Sequence, residues 1–118
     1  MGLIRDSELR TLLIDGKVEE FNRKTQEEPA DLENTDLRGV DLQRANLGHA
    51  NLRGAYLRNA DLRGLDLFYA DLEGASIHDA RIAGTRFPPN LSANEIQLSQ
   101  GAGTRMRTSV PPPRSAHD

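Results

Sequence analysis

Residues 45–64 read ANLGHANLRGAYLRNADLRG and place a leucine at every fifth position, at Leu47, Leu52, Leu57 and Leu62. Neither regular element accepts that spacing. An α-helix turns about 100° per residue, so five residues leave successive leucines about 140° apart around the cylinder instead of along one stripe. A strand alternates its side chains with period two, and an odd step throws each leucine to the face opposite its predecessor. The chain must therefore change direction once in every five residues.

Written in fives from Ala30, the sequence runs ADLEN, TDLRG, VDLQR, ANLGH, ANLRG, AYLRN, ADLRG, LDLFY, ADLEG, ASIHD, ARIAG, TRFPP, twelve units ending at Pro89. Their central residues are Leu32, Leu37, Leu42, Leu47, Leu52, Leu57, Leu62, Leu67, Leu72, Ile77, Ile82 and Phe87, all large and apolar. Two places earlier stands alanine eight times and threonine at Thr35 and Thr85, with Val40 and Leu65 as the exceptions. A large and a small residue two apart read as a short extended stroke with both side chains inward. The last place of a unit holds glycine five times, and Asn34, Asn59 and Asp79 besides. These are residues suited to turn dihedrals. Each unit is thus one side and one corner of a coil. Asp or Asn before the central residue in eight of the twelve units supplies an oxygen able to bond nearby backbone.

This A-(D/N)-L-x-x pattern, twelve times in register, resembles that of the pentapeptide-repeat family and covers about half the chain. The resemblance implies an all-β solenoid, a right-handed quadrilateral parallel β-helix with four pentapeptides per coil and hence three coils. The twelve central residues would be its structural core.

The ends of such a stack expose leucines and unpaired backbone, so the flanks are expected to cap them. Residues 1–29 read as an N-terminal helical cap, with Ser7 as N-cap, Leu9, Leu12 and Leu13 on one apolar face and Gly16 as a stop, continued by Val18 and Phe21. Residues 90–100 read as a C-terminal capping helix. There Ser92 and Glu95 have capping-box spacing, Leu91 and Ile96 can form a hydrophobic staple, and Gly101 ends the helix after about Gln100. Residues 101–118, rich in Gly, Pro and Ser, read as an extended tail with Met106 placed to pack on the body. The flanks DGKVEEFN and EIQLSQGAGTRMR resemble those of small free-standing bacterial members of the family.

Composition narrows the function. The net charge of −3 is spread along the chain and leaves no basic footprint for nucleic acid. Cysteine is absent, which removes disulfides, thiol nucleophiles and cysteine-ligated metals. No apolar run is long enough to span a bilayer, and MGLIRDSEL lacks the basic start and apolar core of a secretory signal, so a cytoplasmic location is expected.

The aspartates follow the structural period, whereas acid/base catalysis needs two carboxylates in different environments. His49 and His78 lie 29 residues apart, on different sides of a twenty-residue coil, and share no metal on that reading. The expectation is a protein without enzymatic activity, cofactor or metal. Outward residues twenty apart should stack: Glu33, Arg53 and Glu73 alternate in sign and read as a stabilising ladder, while Arg38, Arg58 and His78 form a cationic column. The pattern breaks at LDLFY, residues 65–69, where Leu65 takes the small place and both outward residues are aromatic. Phe68, Tyr69, His49, Arg38, Arg58 and His78 are the candidate interaction surface. The competing reading packs Phe68 and Tyr69 under a folded-back tail. The expected role is a non-catalytic scaffold that binds another protein, as a monomer or weak dimer, with no membrane and no direct nucleic-acid contact. The alternative that the resemblance brings is a DNA-mimic modulator of bacterial gyrase. Against it stand nine acids and seven arginines over residues 30–87, a net of only −2 where a duplex carries about one negative charge per 1.7 Å of axis.

Overall fold

The structure is a computed structural model and describes residues 7–109. Parallel bridges join Asp31 to Asn51, Asp36 to Tyr56 and Asp41 to Asp61, then Asn51 to Asp71, Tyr56 to Ser76, Asp61 to Arg81 and Asp66 to Arg86. Every pair is twenty residues apart, so four five-residue units complete one coil. We number the coils 30–49, 50–69 and 70–89, and the sides 1 to 4 in chain order within each.

On a regular side three backbone bonds link neighbouring coils: Asn51 N–H donates to the Ala30 carbonyl at 2.9 Å, and the N–H groups of Leu32 and Asn34 donate to the carbonyls of Asn51 and Arg53 at 2.8 Å. The corner follows at once, with Thr35 N–H donating to the Leu32 carbonyl at 3.1 Å. Only the stretch around the central residue is extended before the turn takes over, so among the described residues the bridges are single and none lengthens into a strand. Oδ1 of Asp31, Asp36, Asp41, Asn51, Asp61, Asp66 and Asp71 accepts the N–H two residues on, at 3.0–3.2 Å. In these seven units the polar residue before the leucine thus holds the start of its corner.

The central residues from Leu32 to Ile77 are buried, together with the inward alanines and Leu65. Ile82 and Phe87 depart from the expected core and are only half-buried. The reason is the cover over the last coil, which lies on sides 1 and 2. Met106 exchanges backbone bonds with Gly74 and Ala75 at 2.7 and 2.9 Å, Ser99 Oγ accepts Ile77 N–H at 3.0 Å, and the Gln100 carbonyl accepts Asp79 N–H at 2.9 Å.

The N-terminal flank is two helices, α1 (Ser7–Ile14) and α2 (Val18–Lys24), broken at Gly16, whose φ is +75°. Leu9, Leu12, Leu13 and Phe21 are buried against the first coil. Helix α3 (Ala93–Ala102) starts at Ser92, whose side chain accepts Glu95 N–H, and ends at Gly103 with φ +79°, two residues beyond the glycine expected to stop it. The reciprocal half of the capping box is missing, because the Glu95 carboxylate turns to Arg107 N–H and Nη2 at 2.9 and 2.8 Å. The expected tail is therefore bound as far as Ser109, and its remainder lies outside the described residues, as do residues 1–6. Among the described residues no helix is long and apolar enough to cross a membrane.

Candidate interaction surface

The corners decide where large outward side chains fit. The corners after sides 1, 2 and 3 all place their last residue at positive φ, with Asn34, Asn59 and Asp79 at 56–61° and Arg44 at 67°. Such turns favour Gly, Asn or Asp. His49 and Tyr69, at the corners after side 4, have no positive φ and are free of that restriction. Aromatic rings collect there. His49 and Tyr69 stack with centroids 4.9 Å apart and planes 3° from parallel, and Phe68 meets Tyr69 edge-on at 5.0 Å. The Arg86 guanidinium lies 4.0 Å over the Phe68 ring while its Nη1 approaches Asp66 at 3.4 Å.

Side 4 is also where the ladder opens. Register would have Leu47 N–H donate to the Asp66 carbonyl, but it bonds the Ala45 carbonyl at 2.9 Å, and Asn46 and Asp66 form no bridge. The interruption coincides with Leu65, which fills with a buried leucine the place that Ala45 fills one coil above. A groove of about 640 Å³ results, with Leu65, Asp66, Gly48, His49 and Tyr69 in its walls. The upper rim is held by α2, since the Asn22 amide donates to the Arg44 carbonyl at 2.9 Å and accepts Asn46 N–H at 2.7 Å.

The six candidate residues split into two patches. Phe68, Tyr69 and His49 share side 4, whereas Arg38, Arg58 and His78 stand two sides away around the coil, on side 2. Phe68 and Tyr69 are half-buried, and the described C-terminal segment does not cover them. It runs along side 1, where Glu73 accepts Thr108 N–H and Oγ1–H at 2.8 and 2.6 Å. On side 2 the Arg38 fork grips Asp36 through two bonds of 2.8 Å and holds that carboxyl well below the usual range. His78 Nε2 lies 3.3 Å from Asp79, and its Nδ1 is buried without a partner. The expected Glu33–Arg53–Glu73 ladder is not the pairing found. Arg53 reaches Asp71 at 3.1 Å, Glu33 accepts from Asn51 at 3.2 Å, and Glu73 is taken by Thr108. Among the described residues no group of three His, Asp or Glu side chains is placed to hold a metal ion.

A family model for pentapeptide repeats matches residues 30–54 and 45–84, with eight copies. The chain is a pentapeptide-repeat protein. No curated protein and no solved structure matches it. The repeat match stops short of TRFPP, the unit whose centre, Phe87, is only half-buried. In this pentapeptide-repeat protein the residues that close the ends, Asn22, Ser99 and Gln100, carry no periodic signal. They act through one or two hydrogen bonds each, across 20 or more residues of sequence. The aromatic patch did carry one, the broken unit LDLFY.

Proposed function

We propose that the protein is a non-catalytic scaffold, a right-handed quadrilateral β-helix whose fourth side binds another protein through Phe68, Tyr69 and His49. The observation that carries this reading is the joined aromatic cluster beside an open groove, on the one column of corners without left-handed residues. Rigid aromatic anchors next to an arginine are the composition of binding hot spots, and the groove gives an anchor from a partner somewhere to seat. Pentapeptide-repeat proteins are generally non-catalytic, which agrees with a surface built by the repeat. The gyrase-mimic alternative needs a row of free carboxylates, and against it Asp36, Asp61, Asp66 and Asp71 are each engaged by an arginine.

Affinity capture from cytoplasm with wild type and with Phe68→Ala/Tyr69→Ala, both verified as folded by circular dichroism, tests the proposal. A partner retained by wild type and lost by the double variant supports it. Identical partner sets would assign the cluster to stability instead.

A further inference from the structure

Four units of the repeat place an arginine immediately after the central leucine, at Arg38, Arg53, Arg58 and Arg63. In two of them the residue before the leucine is aspartate, and the fold turns the D-L-R triplet into a closed pair. Arg38 donates to both oxygens of Asp36 at 2.8 Å, and Arg63 to both oxygens of Asp61 at 2.9 and 2.7 Å. Where the preceding residue is Asn51, Arg53 reaches across one coil to Asp71. Arg58 is the exception. Its unit reads Y-L-R, so Tyr56 stands where the carboxylate belongs. The residue above Tyr56 is Asp36, already gripped by Arg38, and the residue below is Ser76. The Arg58 side chain has neither a hydrogen bond nor an ion pair within the described residues, although its carbonyl accepts Gly39 N–H at 2.8 Å in the coil ladder.

The surroundings present donors to that vacancy. Arg58 and Arg38 line two adjoining grooves, one of about 380 Å³ with Tyr56, Ser76 and His78, the other of about 740 Å³ bordered by Arg10 of α1. Arg105 Nη2 donates to the Tyr56 hydroxyl oxygen at 3.2 Å, which leaves the hydroxyl proton free to donate outward. Arg38 spends Nε and Nη2 on Asp36 and keeps Nη1. The acids facing this side are Asp36, Asp41 and Asp79, and of these Asp36 and Asp79 are taken up by Arg38 and His78. Donors from Arg58 and Tyr56 on one coil and from Arg38 on its neighbour would meet a shared ligand from two levels. A planar carboxylate satisfies two donors in its plane, whereas a tetrahedral oxyanion offers acceptors in several directions.

We propose that side 2 is a phosphate-binding site in which the oxyanion takes the place of the missing aspartate, on the Arg58 guanidinium with Tyr56 O–H and Arg38. The site is separate from the aromatic patch and needs no partner protein. The test is a titration at low ionic strength with inorganic phosphate, phenyl phosphate and acetate, followed by NMR of backbone amides and arginine Nε–H groups. Saturable shifts at Arg58, Tyr56 and Arg38 are expected for the phosphates. Whichever of the two binds more tightly identifies the ligand as the free ion or an ester. Arg58→Gln should weaken binding about tenfold or more, the loss expected for a charge-assisted hydrogen bond. Tyr56→Asp should abolish it by restoring the internal carboxylate, with thermal stability retained. Arg53→Gln, on another side, should leave it unchanged. Acetate binding as tightly as phosphate, no saturable binding, or binding indifferent to Arg58→Gln and Tyr56→Asp would each overturn the proposal.

Discussion

Replacing Asn22 by alanine removes the side chain that stands in for an absent coil above side 4. Its amide donates to the Arg44 carbonyl at 2.9 Å and accepts the Asn46 N–H at 2.7 Å, the two kinds of bond a neighbouring coil would supply. At about 0.5–1.5 kcal/mol net for each neutral hydrogen bond, the pair is worth about 1–3 kcal/mol. Two effects reduce this. Asn46 is exposed, so water recovers part of what its N–H loses, and alanine returns about 0.5 kcal/mol of helix propensity to α2. The expected net loss is about 0.5–2 kcal/mol in urea denaturation, with an unchanged m-value and faster hydrogen exchange at the Asn46 amide. Asn22→Asp separates the two bonds, because it keeps an acceptor for Asn46 N–H but sets a carboxylate oxygen against the Arg44 carbonyl. It should cost at least as much as alanine. An Asn22→Ala protein as stable as wild type, with Asn46 exchange unaltered, refutes the argument that α2 closes the stack by side-chain mimicry of a coil.

Leu52→Ala, in the middle of the stack and fully buried, should cost about 2–5 kcal/mol, whereas Arg53→Ala, which breaks an exposed pair with Asp71, should cost about 0–1 kcal/mol by the same denaturation assay. Arg44 holds a left-handed conformation with φ 67° that costs a residue bearing a Cβ about 1–2 kcal/mol, so Arg44→Gly should raise the melting temperature even after the entropy glycine adds to the unfolded chain. Hydrogen bonds from Thr108 and from Arg107 hold the carboxyls of Glu73 and Glu95 below the usual range. Their contribution is therefore complete above the ordinary carboxylate range and is lost as pH falls through the lowered folded values. Acidification should release residues 104–109 first, read as hydrogen exchange at Met106 before exchange at Leu52.

Much of this architecture was legible because period five leaves the backbone few options. The twenty-residue register puts His49 over Tyr69, and the aspartates bond the N–H two residues on, as their place in the unit predicts. What the repeat does not encode is harder to read. Arg53 lies between Glu33 and Glu73 in its column, yet it pairs with Asp71, because Thr108 returns from 35 residues away to occupy Glu73. Helix α3 runs past Gly101 because Gly103 is the residue that takes the left-handed cap. Ile82 and Phe87 are large and apolar like the buried centres, and their exposure depends on which sides α3 and residues 104–109 cover. The split of the candidate surface into two sides was available from residue numbers alone, since Arg38 and His49 belong to units two apart in one coil.

The corner geometry sets how such a surface can diversify. Nine corners keep their last residue left-handed, which confines those places to a small alphabet and makes their exteriors much alike. The column through His49 and Tyr69 carries no such restriction, so a ring, a charge or a small residue can be exchanged there without touching the conformation that closes the coil. One edge of the molecule is thus free to drift in chemistry while three are held by the backbone. Positions 49 and 69 are accordingly where the exterior can be varied most widely, with the rest of the repeat left as it is.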